Sequence, residues 1–227
     1  MGFQLMSECA EYGRPPIGFV VEGRGEYYAY PSLVSKILGI GNCHIPVEMA
    51  GGAGSVVKNT KEHMTDLCSV FSPCNVIVSL DLKDVLEGGK FKDCSEVLGY
   101  FNKRIEQWME EDCGVDDRIR CVPDGVSIVL QVKKFESWLL SDMRGLQESK
   151  YVSLSDEQIE DVDEMIEDPA LWMRDKLNSN GKLKNPSHVK EMFSKLEPDE
   201  MRKNSKSFDK FYREVRSFYE GWMSRLV

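Results

Sequence analysis

The chain has 227 residues, 41% hydrophobic and 30% charged, with 29 Lys and Arg against 38 Asp and Glu for a formal charge of −9. That length holds one large domain, or a domain with an appendage, and buries a core without disulfide or metal staples. The acidic balance excludes a histone-like or simple DNA-coating role, since cations on phosphates supply most non-specific affinity; it leaves open an enzyme carrying its own acidic metal site.

The first eight residues, Met1 to Glu8, lack a basic stretch followed by an apolar one, so no secretory signal is read there. Met6 stands where a myristoylation motif wants serine or threonine. The ordered pattern begins with Ile17 to Val21, a short apolar run rich in β-branched residues that ends in Glu22-Gly23-Arg24-Gly25-Glu26. Tyr28, Tyr30, Leu33, Val34, Ile37 and Leu38 then recur at helical spacing up to Gly39. This reads as strand, glycine turn, helix. Cys43 to Val47 is a candidate second strand, and Gly51 to Ser55 a turn into a helix over about 55–70. That turn is either plain or an anion-binding nest; it lacks the Gly-Lys-Ser/Thr ending of a P-loop.

Asn75 to Leu80 is a buried strand ending in Asp81-Leu82-Lys83-Asp84. Residues 93–111 carry Val97, Leu98, Phe101, Ile105 and Trp108 on one helical face, and Val126 to Val132 is a further strand running into Lys134 to Asp142. Strands alternating with helices predict an α/β fold with a mainly parallel sheet flanked by helices. Ligands of such sheets sit beyond the carboxyl ends of strands, where Glu22, Asp81 and Glu136 fall. The α/β domain is expected over 14–150 and a helical C-terminal region packed on it over 151–227.

In that second region Ser155 with Gln158 forms a capping box for an acidic helix over 156–168, ended by Asp168-Pro169. Helices follow with a break near Pro198. Residues 151–181 hold nine acids against two bases, whereas 182–216 hold ten Lys and Arg against six acids. In the latter, Arg202, Lys203, Lys206 and Lys210 interleave with Phe208, Phe211 and Tyr212. This is either a solvated face over an aromatic core or a nucleic-acid surface. The seven cysteines show no C-x-x-C pair and read as reduced thiols of a cytoplasmic protein. His44, His63 and His188 have no spacing that builds a metal cage. No apolar run approaches the roughly 20 residues of a membrane span.

Carboxylates at neighbouring strand ends have one strong chemical use, holding Mg²⁺ or Mn²⁺ by hard oxygen ligands. Val21-Glu22-Gly23-Arg24-Gly25-Glu26, then Asp81-Leu82-Lys83-Asp84, Phe135-Glu136-Ser137-Trp138-Leu139-Leu140-Ser141-Asp142 and Ser205-Lys206-Ser207-Phe208-Asp209-Lys210-Phe211 stand in that order. Together they resemble the Toprim domain, the catalytic module of topoisomerases, primases and overcoming-lysogenization-defect nucleases. More narrowly they are similar to bacterial Toprim-like proteins often encoded near ATPases in defence loci.

The resemblance implies a Toprim-like fold and a metal-dependent nuclease or nuclease subunit acting on DNA or RNA, with an ATPase partner in an anti-phage setting. A homo-oligomer is compatible with it. It makes Glu22, Asp81 and Glu136 the catalytic candidates, and Glu22, Glu26, Asp81 and Asp84 the Mg²⁺ or Mn²⁺ ligands. Arg24, Lys83, Arg202, Lys203, Lys206 and Lys210 become the nucleic-acid contacts. Lys83 departs from the pattern, since a second carboxylate belongs there. Either Asp84 substitutes for it, or Ser79 pairs with Asp81, or the metal site is degraded and the chain is a non-catalytic interaction module. Glu26 and Glu136 each either join the site or open a helix, and Asp142 caps one.

Overall fold

The computed structural model describes residues 14–41, 45–112, 122–154, 159–178, 181–183 and 185–226. Four strands, β1 (Ile17–Val21), β2 (Val47–Met49), β3 (Asn75–Asp81) and β4 (Gly125–Gln131), form one parallel sheet in the order β2-β1-β3-β4. Phe19 pairs with Val47 on one side of β1 and with Ile77 on the other, and Ile77 pairs in turn with Ser127. Helices α1 (Arg24–Leu38), α2 (Ala53–Phe71), α3 (Leu82–Glu87) and α4 (Cys94–Asp112) make the crossovers between strands.

The fold class is therefore the α/β architecture read from the sequence, a parallel sheet flanked by helices of Rossmann type. Parallel sheets are covered on both faces, so their strands are apolar along their whole length. Every residue of β1 and β3 is buried. Alternation divides them: Ile17, Phe19, Val21, Ile77 and Val129 enter one core, and Val20, Val76, Val78, Leu80 and Ile128 the other. The second core is closed by α2, α3 and α4 through Met64, Leu67, Val85, Phe101 and Trp108. The first is closed by α1 and by the C-terminal half of the chain.

That half contains α5 (Ser137–Leu140), α6 (Met143–Glu148), α7 (Val162–Met165), α8 (Pro169–Lys176), α9 (Pro186–Lys195), α10 (Pro198–Asn204) and α11 (Lys206–Met223). Trp138 is its pivot. Its ring stacks near Tyr30, meets Phe208 edge-on, and donates Nε1–H to Ser207 Oγ at 2.9 Å. Asp163 accepts from Ser207 N at 2.7 Å and from both Ser205 and Ser207 hydroxyls at 3.1 Å. The Ser-x-Ser-Phe-x-x-Phe stretch thus caps α11 and docks it against the sheet. Asp142 accepts from Gly145 N and Glu197 N at 3.0 and 2.8 Å, capping α6 as the sequence predicts and tying α10 to it.

Two elements differ from the sequence reading. The second strand is Val47–Met49 rather than Cys43 to Val47, a short edge strand set by its pairing with β1; residues 42–44, His44 among them, lie outside the described residues. Among the described residues, the acidic helix over 156–168 is only the single turn of α7. Ile166 is extended, as is Asp168 before Pro169, while Val162 and Ile166 turn inward. The Ser155–Gln158 capping box and Lys184 also lie outside the described residues. No helix among the described residues is long and apolar enough to cross a membrane.

Candidate metal centre

From β1 the chain goes one way to β2 and later returns to the other side of β1 as β3. The connections leaving β1 and β3 therefore diverge, opening a crevice at their carboxyl ends, the usual ligand position in such sheets. Glu22 follows β1 and Asp81 ends β3, so the topology sets them side by side. Glu22 Oε1 accepts a hydrogen bond from Asp81 N at 2.6 Å, and Asp81 Oδ1 accepts from Phe135 N at 2.8 Å, which brings the segment after β4 into the same site. Gly51 N donates to the Glu22 carbonyl at 2.9 Å. Gly51 and Gly52, at φ 83° and 129°, take conformations that residues with a Cβ avoid, and so place the turn before α2 against Glu22.

One carboxylate oxygen each of Glu22, Asp81 and Asp84 lies within 4.8 Å of the others. Asp84 joins because the chain becomes helical at Leu82: residue i+3 on a helix returns to the side of residue i, while the i+2 position of a strand is lost. Lys83 falls elsewhere on the turn, its ammonium 4.0 Å from Glu87. Ser79 is wholly buried in a hydrogen-bonded trio with Tyr30 and Gln131, at 2.7 Å to Tyr30 Oη and 3.2 Å to Gln131 Nε2. Of the three alternatives at this strand end, the geometry matches the one in which Asp84 supplies the second carboxylate.

Glu22, Glu26, Asp81 and Glu136 line one cleft of about 540 Å³ together with Arg24, the Gly51-Gly52 turn and Phe135. Burial drives its electrostatics. It pushes the Glu22 carboxyl up to about 8, with the charges of Glu26 and Asp84 acting the same way against amide hydrogen bonds from Asp81 and Ala53. Glu26 rises to about 7, through burial and then the charges of Glu136 and Asp84. Asp81 is held well above the usual carboxylate range by burial and by Glu22 and Glu26, and burial also raises Glu136. The cation that answers them is Lys134, which strand-end reading passed over: its Nζ is 2.9 Å from Asp84 Oδ1. Burial lowers the Lys134 pKa, but the hydrogen bond and charge of Asp84, with Asp81 and Glu136 behind it, raise it overall. Its position directly after β4 was the available signal.

Three hard oxygen donors close enough to share one coordination sphere, in a largely buried site whose acids repel one another, fit a divalent cation. The residues that would hold it are Glu22, Asp81 and Asp84. Glu26 and Glu136 line the cleft beside them.

A family model described as "Domain of unknown function (DUF4276)" matches residues 21–216. The chain belongs to this family. The DUF4276 match opens one residue before Glu22 and covers the whole acidic cluster, Lys134, and most of the helices that close the first core. Among solved structures, the C-terminal region of the Xanthomonas campestris pv. campestris OLD protein is similar at 15% identity and a TM-score of 0.41, covering 91% of this chain and 98% of that one. No curated protein matches.

The other nucleic-acid candidates of this DUF4276 chain are spread out. Arg24 lines the acidic cleft. Arg202 pairs with Asp209 at 2.8 Å, Lys203 with Glu200 at 2.6 Å, and Lys210 with Glu214 at 2.8 Å. Lys206 bridges Asp161 and Glu164 of the acidic turn at 3.0 and 2.6 Å. Each of these four thus has an acid of the same chain beside it, and Lys206 alone among them joins 182–216 to the acids of 151–181.

Proposed function

We propose that this DUF4276 protein is a metal-dependent phosphodiester hydrolase, a nuclease or nuclease subunit of Toprim-like type. The observation that carries the reading is the convergence of Glu22, Asp81 and Asp84 within 4.8 Å at the switch point of the sheet. Mg²⁺ or Mn²⁺ held there would supply Lewis-acid stabilisation of phosphate oxygens. Glu26, beside these ligands and with its carboxyl near 7, titrates around neutral pH, the range in which a side chain can take and return a proton during hydrolysis. Asp81 stays oriented by the Phe135 amide, and the Asp84–Lys134 pair sets a cation at the rim where a phosphate enters. Arg24 adds a second positive group on the cleft wall.

The test is incubation of the purified chain with plasmid, single-stranded DNA and tRNA in Mg²⁺ or Mn²⁺, beside Glu22→Gln and Asp81→Asn. Cleavage by the parent and loss of about 10² or more in rate in either variant supports the assignment. Equal cleavage by parent and variants refutes it. The resemblance to ATPase-linked defence proteins adds an ATPase partner and the anti-phage setting to the proposal; stimulation of cleavage by that partner with ATP is the corresponding check.

A further inference from the structure

Asp84 belongs to the acidic cluster and also lines a second cleft, of about 460 Å³. Lys58, Lys90 and Arg104 lie in it with Phe91 and Tyr100. These residues come from three places: Lys58 from α2, Lys90 and Phe91 from the loop after α3, and Tyr100 with Arg104 from successive turns of α4. Tyr100 organises the cations. Lys90 Nζ rests 3.7 Å from its ring centroid, and Arg104 donates to its hydroxyl at 2.8 Å while that hydroxyl donates to the Val57 carbonyl at 3.1 Å. Phe91 closes against the Tyr100 ring with centroids 5.2 Å apart.

Among the described residues, neither Lys58, Lys90 nor Arg104 has a carboxylate within ion-pair distance. That is the reverse of the C-terminal segment, where Arg202, Lys203, Lys206 and Lys210 each lie beside an acid. A cation on an aromatic face is held more weakly than one in a charge-assisted hydrogen bond to phosphate. A phosphate therefore gains Lys90 without breaking an ion pair. Positive groups backed by aromatic rings in a groove are also the general chemistry of strand binding.

We propose that this cleft grips the phosphates of a nucleic-acid strand flanking the one presented to the acidic cluster, with Lys58, Lys90 and Arg104 as the contacts. The inference rests on the nuclease reading and names where its substrate is held. It also answers the acidic net charge: the strand is held by a local group of unpaired cations next to the metal site rather than by the surface at large.

The experiment follows fluorescence anisotropy of labelled oligo-dT and oligo-rU, in EDTA to prevent cleavage, between about 50 and about 200 mM salt. The parent binds at least one of the two strands. For the Lys58→Gln/Lys90→Gln/Arg104→Gln variant, affinity at the low-salt end falls at least about tenfold, and the log–log salt slope falls by about 2, at about 0.7 per phosphate contact on a single strand. Lys103→Gln, one residue from Arg104 but outside the cleft, binds like the parent. If the triple variant melts early, Lys58→Gln alone, an exposed site, must still lower the slope by about 0.7. A parent that binds neither strand overturns the inference, as does a folded triple variant with parental affinity and slope. Binding together with equal cleavage in Mn²⁺ by the parent and Glu22→Gln refutes the nuclease reading and leaves the cleft; cleavage and binding unaffected by the triple variant refute the cleft and leave the nuclease.

Discussion

Glu22→Gln should make the metal-free protein more stable at alkaline pH while leaving it unchanged in acid. Glu22 is only 7% exposed, and its carboxyl is raised from 4.5 to about 8. Between those values the folded chain keeps a proton that the unfolded chain releases. Stability attributable to this group is therefore complete below about pH 4.5, falls as pH rises, and levels off above about 8, with a slope approaching 1.4 kcal/mol per pH unit. From pH 5 to pH 8 this sums to about 4 kcal/mol, of which solvent at the mouth of the cleft screens roughly half. Glutamine keeps an acceptor for the Asp81 amide, now 2.6 Å from Glu22 Oε1, but carries no titrating proton.

At about 2.1 cal/mol/K per residue, unfolding this chain has an entropy near 0.5 kcal/mol/K, so about 2 kcal/mol corresponds to a rise in Tm of about 4 °C at pH 8 and none at pH 5. Scanning calorimetry in EDTA from pH 5 to 8 measures it. Parallel Tm–pH curves for parent and variant would show that Glu22 is not a buried, raised carboxyl, and the electrostatic account of the site would fail with it.

Mn²⁺ at about 100 times its Kd should stabilise the parent by about 2.7 kcal/mol, and Asp84→Asn should abolish most of that shift; an Asp84→Asn protein stabilised like the parent removes Asp84 from the ligand set. Because the Glu22 carboxyl, raised by burial to about 8, holds a proton at pH 7, Mn²⁺ binding should release it, seen as a binding enthalpy that varies with the ionisation enthalpy of the buffer. A buffer-independent enthalpy contradicts this. Lys134→Met removes the cation 2.9 Å from Asp84, so the metal-free protein should lose stability at pH 8 and recover it with Mn²⁺; a loss unaffected by Mn²⁺ would assign Lys134 a packing role instead. Trp138→Phe deletes the Nε1–H bond to Ser207 and part of a fully buried ring, and should cost about 1–3 kcal/mol in urea denaturation, with a neutral result refuting the docking role of this contact.

Periodicity and residue type were enough for the α/β class, the strands Ile17–Val21, Asn75–Asp81 and Gly125–Gln131 to within a residue, and the placing of Glu22 and Asp81 at strand ends. These depend on local signals: β-branched apolar runs are long enough to be strands only when both faces are covered, and the acids follow them directly. The same signals failed where burial was partial or distant partners decided. Val47–Met49 is a half-covered edge strand with no strong pattern, and the turn at Val162–Met165 ends at extended Ile166 while Asp163 inside it is buried against Ser205 and Ser207, 42 and 44 residues away. What only the tertiary structure decided is which side chains meet. With Lys83 where a second carboxylate belongs, a linear reading leaves Asp84, Ser79 or a degraded site open, but the onset of helix at Leu82 turns Asp84 toward Glu22 and Lys83 toward Glu87. Lys134, Lys58, Lys90 and Arg104 acquire meaning only from neighbours 10 to 50 residues off, since charge is felt through space and sequence records only order along the chain.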